Sequence, residues 1–405
     1  MVTNDDKPLG TITTVGTILR LVTYDNFSIA IGAESPFPIQ ALTKDLDNLA
    51  LTPGAIKVVR IFGDDLGITF KPDGVMTCTN GGRAQYYFEV DGVKSDTVYI
   101  NSFAVRKIPL KTQSLAKFGS KVLATVAPAE GGSPRLVEVN PETGVLGRSV
   151  TLPAWGFDTT VSSEASIAYV VHRATKQISK VDLTNFTVLS TFDITTTDES
   201  GTVQSPWQVA VSPSDPDVIA VSFKTDSSGY VTIYDKGVAR EKVPNPYCGT
   251  ALTWLDGSTV VVQPLDVIPQ SLTLATVTDK GIERTKPLDD WPGTNSDGYL
   301  SVVGDYIYPS DGSATSKDFA QVFSSLGSKD IAFNPSQDRL FLLDSSYILR
   351  TGTISTRQIV RDEFLLPRNP FSAENDRSYM MTFGNKSIAY RVEDSINIAG
   401  PFPGL

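Results

Sequence analysis

Short apolar runs alternate with polar turns along most of this chain, and one stretch, residues 166–195 (SIAYVVHRATKQISKVDLTNFTVLSTFDIT), shows the unit most clearly. An apolar run at 167–171 is followed by a polar turn at 173–176 and an alternating strand at 177–181. An Asp-Leu-Thr-Asn turn then leads to a second alternating strand at 188–194. Apolar positions at period two, joined by tight turns, predict an antiparallel meander. A sheet of three short strands is too small to stand alone, so it counts as evidence only if the chain repeats it.

The chain does repeat it. The runs VLATV, IAYVV, VIAVSF, VVVQP, YIYPSD, LFLLD and YMMTF begin at Val122, Ile167, Val218, Val260, Tyr306, Leu340 and Tyr379, at intervals of 34 to 51 residues. That spacing is the period of one four-stranded propeller blade. Closing such meanders into a ring removes the sheet edges that would otherwise invite aggregation. The expectation is an all-β chain with a seven-bladed β-propeller over 111–405. Two ways of closing the ring stay open: an outer strand at 396–399, or a strand from before residue 121. Blade five is expected to be thin, with a helical turn near 318–326.

Three segments carry a family resemblance: IAYVVHRATKQISKVDLTNFTVLSTFDI, PWQVAVSPSDPDVIAVSF and DIAFNPSQDRLFLLDSS. Each has a strand, a polar turn and a following strand, with Ser-Pro or Asn-Pro at the turn in the last two. In this they resemble the surface-layer-type YVTN repeat and the lactonase-like propellers built from it. The resemblance covers blades two, three and six; elsewhere only the spacing matches. It implies a ring whose pre-strand residues gather at one mouth of a central channel.

Residues 1–110 do not follow the blade spacing. Residues 1–8 read as an arm, 11–21 and 27–31 as strands, and 39–51 as a short helix ending before Pro53. Strands at 56–62, 67–70, 84–90 and 97–103 are separated by Pro72-Asp73-Gly74, Asn80-Gly81-Gly82 and Asp91-Gly92. We expect a small β-sandwich here, Ig-like in type, that docks the chain to something larger.

Composition narrows the partners more than the fold. Gly 31 and Pro 25 suit a turn-rich all-β chain, and a formal net charge of -10 argues against charge-driven binding to nucleic acid or anionic membrane. No stretch is long and apolar enough for a membrane-spanning helix. The two cysteines, Cys78 and Cys248, fall in different expected domains and read as reduced thiols. The start, Met-Val-Thr-Asn-Asp-Asp-Lys, shows no secretory leader, so the chain is made and assembled inside a cell or is read without its leader.

Candidate chemistry is sparse. His172 is the only histidine, which removes most acid/base pairs, triads and multi-histidine metal sites, and it reads as a turn residue with no catalytic role. No cofactor is expected beyond a loop-bound calcium ion at Asp289-Asp290, Asp45/Asp47 or Asp198-Glu199. There is no phosphate-cradling glycine loop and no nucleophile elbow. Aromatic residues say more. Trp155, Trp207, Tyr247 and Tyr299 fall at the channel mouth by the repeat pattern, and Trp291 sits with Asp289 and Asp290 in a polar loop. A flat apolar ring beside orienting polar groups is suited to a protein or sugar contact, although the same rings also serve to cap gaps between blades.

Two function classes follow. The first is a non-enzymatic structural or recognition protein, a component of a virion (phage tail or baseplate type) or of a cell surface. Its partners would be protein neighbours in an assembly, or a cell-surface glycan or receptor. The second is a lactonase-like hydrolytic propeller with a metal in the central channel, which needs converging acids that the blade positions do not supply.

Overall fold

The computed structural model describes residues 20–23, 26–36, 39–42, 48–49, 56–71, 75–90, 92–128, 132–194, 204–224, 229–241, 251–263, 272–288, 299–328, 330–344, 348–366, 380–383, 387–392 and 395–402. Among these residues the chain is built of strands, with one short 3-10 turn at Pro335–Gln337.

From Thr112 onward the strands form four-stranded antiparallel sheets in sequence order. Blade one comprises Thr112–Phe118, Lys121–Val126, Arg135–Val139 and Leu146–Thr151; blade two comprises Asp158–Ser162, Ile167–His172, Gln177–Asp182 and Thr187–Asp193. Blades three to six begin at Ser205, Ala251, Leu300 and Asp330. The apolar runs that mark the repeat are mostly the second strands of these sheets. Lys121–Val126 and Ile167–His172 are buried along almost their whole length, because both faces meet a neighbouring blade. The run at Tyr379 is different: Met380–Phe383 is the first strand of its sheet, and Ser387–Val392 is the second.

Each pair of consecutive sheets shares one apolar cluster. Ala168 and Val170 of blade two meet Leu123 and Leu136 of blade one, while Tyr169 and Val171 meet Ile219 and Val221 of blade three. The pattern continues through Val260, Ile307 and Leu342, and Val122 meets Ile396 to return to the start. The result is a closed β-propeller. Burial of these side chains supplies the main stabilisation, at roughly 25 cal/mol per Å² of apolar surface.

Closure uses both of the segments that the sequence left open. The last sheet runs Met380–Phe383, Ser387–Val392, Ser395–Ala399, and its fourth, outer strand is Val105–Ile108. The ring's first residues in sequence therefore lie ahead of position 111. Only Ala104 separates this strand from Val98–Phe103, which belongs to an N-terminal sheet. Phe103 packs at 5.2 Å between ring centroids against Phe402 and joins the apolar cluster between blades six and seven.

Ahead of the ring lie a five-stranded sheet, with Gly82–Val90 and Val98–Phe103 at its centre, and two three-stranded sheets. Gly82–Val90 alternates buried and half-buried positions, and its inward residues Ala84, Tyr86, Phe88 and Val90 form a core with Met76, Cys78 and Ile100. Burial pushes the Cys78 thiol up to about 11; Cys248 lies outside the described residues.

The described N-terminal strands form one mixed five-stranded sheet and two three-stranded sheets about a shared apolar core, with Asn26–Ala30 parallel to Val98–Phe103. Two expectations are corrected here. Ile39–Leu42 and Asn48–Leu49 are strands where a helix was expected, because pairing with Arg20–Thr23 outweighs local helical preference. Blade five is thin, with Val322–Phe323 as its outer strand, but no helical turn forms at 318–326. There Asp318 accepts hydrogen bonds from Ser316 Oγ at 2.6 Å and the Ala320 amide at 3.0 Å, which shapes a turn instead.

Candidate recognition face at one end of the channel

In each sheet the first strand runs away from one end of the channel and the second strand returns to it. The segment leading into a first strand and the turn between second and third strands therefore share that end. This places Lys111, Trp155, Phe157, Tyr299 and the turn at 173–176 on one face.

Gly156 sets the position of the two aromatic residues beside it. A Cβ there would lie 2.5 Å from Val170 Cγ1 and 2.6 Å from Thr125 Cγ2, so only glycine lets the loop pass this close to blades one and two. Its carbonyl accepts a hydrogen bond from Thr125 Oγ1 at 2.9 Å, and the Phe157 amide donates to Val171 O at 2.7 Å. Phe157 is thereby turned onto Trp207, with centroids 5.1 Å apart and planes at 53°. The Arg173 guanidinium covers both rings, 5.1 Å from Phe157 and 4.8 Å from Trp207. Lys111 Nζ lies 5.9 Å from the half-buried Trp155 ring. Stacking of a cation on aromatic faces is worth roughly 0.5–1 kcal/mol where exposed and more where water is excluded.

Beneath this shelf, the polar groups of the channel wall hold the ring together. Asp158, 1% exposed, accepts the Val209 amide on Oδ2 at 2.8 Å and the Tyr299 hydroxyl on Oδ1 at 3.2 Å. Ser114 Oγ meets Thr159 Oγ1 at 2.7 Å, and Gln208 Oε1 takes the Leu252 amide at 2.8 Å. His172 is fully buried, with Nε2 2.8 Å from Ser179 Oγ. Burial pulls its pKa down to about 4. The backbone carbonyls of Trp155 and Ala154 oppose that shift, although neither makes a well-formed hydrogen bond to Nδ1. A neutral imidazole so placed bonds its neighbours and meets no open space.

The expected site residues part company here. Trp155 is at the channel mouth, as is Tyr299. Trp207 is not: it lies inside the first strand of blade three, 2% exposed, because a register shift between Pro206 and Gln208 turns its ring under Phe157 and Arg173. Asp289, Asp290, Trp291 and Tyr247 lie outside the described residues, as do the calcium candidates Asp45, Asp47, Asp198 and Glu199. Among the described residues no three His, Cys, Asp or Glu side chains gather as metal ligands would. Sequence reasoning missed Lys111, Phe157, Asp158 and the stacking of Arg173. The turn following each second strand was the available signal, since it places residue 173 at the same end as residue 155.

No protein-family model and no curated protein sequence matches the chain. Among solved structures it is similar to U3-55K, with a TM-score of 0.50 at 12% identity, covering 73% of this chain and 98% of that one. It is also similar to the RRP9 WD40 repeats, with a TM-score of 0.51 at 12% identity, covering 73% of this chain and 96% of that one. At this identity the likeness speaks to the fold alone, a β-propeller in the company of WD40 repeats. The narrower YVTN-type resemblance stays one of sequence.

Proposed function

We propose that this chain is a non-enzymatic recognition protein whose ring presents the face around Trp155 to a protein neighbour in a larger assembly. The observation that carries this reading is how Asp158 and His172 are used. Among the described residues the buried acids at this end are Asp158, Asp311 and Asp330. Asp158 bonds across blades, Asp311 accepts from Ser313 and Asp330 from the Ile331 amide, while the chain's single histidine bonds Ser179 of the next strand. Among the described residues of blades one and two, the side chains at this end include the half-buried Trp155 and the cations Lys111, Arg173 and Lys176, groups suited to binding. The propeller fold agrees with the reading without carrying it, since one fold hosts many functions.

In its narrower form, the proposal makes the chain a component of a virion, of phage-tail or baseplate type, or of a cell surface. The N-terminal sheets serve as the docking part and Trp291 as a further contact. A glycan or receptor on a cell surface is the other ligand class that this form admits.

Co-sedimentation with particles or surface layers purified from the source of the chain tests it. The chain should travel with the assembly, and Trp155→Ala should weaken attachment while leaving the melting temperature near that of the parent. A chain found free in solution that hydrolyses lactones with added divalent metal, and stops with chelator, would replace this reading with the hydrolytic one.

A further inference from the structure

Among the described residues, the end of blades one and two around Trp155 carries more exposed or half-buried cations than acids, opposite in sign to the whole chain. Lys111 and Arg135 are exposed, and Lys176 is half-buried in a left-handed turn position at φ 54°. All three lie at the same end of blades one and two: Lys111 leads into a first strand, Arg135 begins a third strand, and Lys176 ends the turn before one. None of them forms an ion pair with a described carboxylate. The described acids at this end of the two blades are Asp158, buried in the wall, and Asp193, which already accepts Gln177 Nε2 at 3.0 Å. In a chain of net charge -10, three described cations without a described carboxylate partner share this end, and one of them, Lys111, lies 5.9 Å from the Trp155 ring.

We infer that the partner segment docking here is an acidic peptide, with carboxylates reaching Lys111, Lys176 and Arg135 and an apolar side chain lying on Trp155. The inference rests on the recognition reading above and names the chemistry of its partner. Charge complementarity of this kind speeds encounter and selects the partner, while the desolvated ring supplies the hold. The negative charge over the rest of the molecule turns away the same segment elsewhere, which confines it to the rim.

The test is fluorescence anisotropy of the whole chain with a labelled Glu-rich peptide containing leucine, its Lys-rich counterpart of equal length, and a single-stranded oligothymidylate of matched negative charge. The Glu-rich peptide should bind, more weakly at high salt, since exposed charges are screened beyond about 10 Å at 0.1 M. Lys111→Gln combined with Lys176→Gln should weaken it about tenfold at low salt, the size expected for a pair of rim charges at about 0.7 kcal/mol each. Both positions reach solvent, so a thermal melt near that of the parent will show that the fold is intact. Lys111→Glu with Lys176→Glu should transfer binding to the Lys-rich peptide. Equal binding of both peptides by the parent, or an unchanged affinity in the double variants, overturns the inference. Tighter binding of the oligonucleotide also overturns it, by assigning the rim to phosphates. If the chain attaches to its assembly through Trp155 yet ignores the Glu-rich peptide, the acidic-partner inference falls and the recognition reading stands.

Discussion

Tyr299 donates its hydroxyl to Asp158 Oδ1 at 3.2 Å, although the two residues are 141 positions apart. One leads into the first strand of blade five and the other opens the first strand of blade two. Because Oδ2 of the same carboxylate takes the Val209 amide of blade three, one buried acid joins three blades. Tyr299→Phe removes one donor from a buried carboxyl group and should cost about 1–2 kcal/mol. Asp158→Ala also orphans the Val209 amide and should cost about 3 kcal/mol. In urea unfolding, adding Tyr299→Phe to Asp158→Ala should change the midpoint little, because the shared bond is already gone. Fully additive losses would show that the two residues act separately.

His172 makes stability depend on acid. Its pKa in the folded chain is about 4, below the ordinary histidine value of about 6.5 in the unfolded chain. Between those values the unfolded state binds more protons, so stability rises with pH and is lost as pH falls from about 6.5 to about 4. The shift corresponds to about 3 kcal/mol by the bottom of that window. His172→Gln cannot titrate there, so its melting temperature should fall less steeply over the same range. Parallel curves for the two proteins would assign the acid sensitivity to carboxylates alone.

The parts of the fold legible in the sequence are those set by local pattern. Ile167–His172 and the strands after it could be read because each apolar run is bounded by a turn of Asp, Asn, Gly or Lys. The pairing of Val105–Ile108 with Ser395–Ala399 could not be read, because two short alternating segments carry no mark of a partner nearly 300 positions away. The same holds for the site. Trp155 fell at the mouth by spacing, whereas the burial of Trp207 follows from a local register shift that no periodicity reports. Arg173 was visible as a turn cation, but its position over two rings depends on Gly156.

Gly156 is therefore the backbone position on which the aromatic shelf turns. Gly156→Ala would put a methyl group against Val170 and Thr125, both in well-packed second strands, and overpacking of this kind costs about 1–3 kcal/mol. Relief would come by moving the loop that carries Trp155 and Phe157. The variant should thus lose stability and also quench or red-shift tryptophan emission in the folded state. A stable variant with unaltered emission would mean that the loop has more room than the structure gives it.

The closing sheet separates two ways of trimming the chain. Val105–Ile108 covers Ser395–Ala399, which would otherwise be an open sheet edge with unpaired backbone groups. Ile108 is 5% exposed within the apolar cluster that joins the last blade to the first. A chain beginning at residue 105 keeps that strand, while one beginning at residue 111 loses it and leaves the seam held by three strands. The chain from 105 should be monomeric in sedimentation and melt cooperatively, lowered to the extent that Phe103 no longer packs on Phe402. The chain from 111 should melt lower still and associate through its exposed edge. Adding a peptide of residues 103–110 should raise its melting temperature in a concentration-dependent way, as expected for a ligand that binds only the folded ring. If the two trimmed chains behave alike, the outer strand contributes nothing to closure and the ring is held by its three C-terminal strands alone.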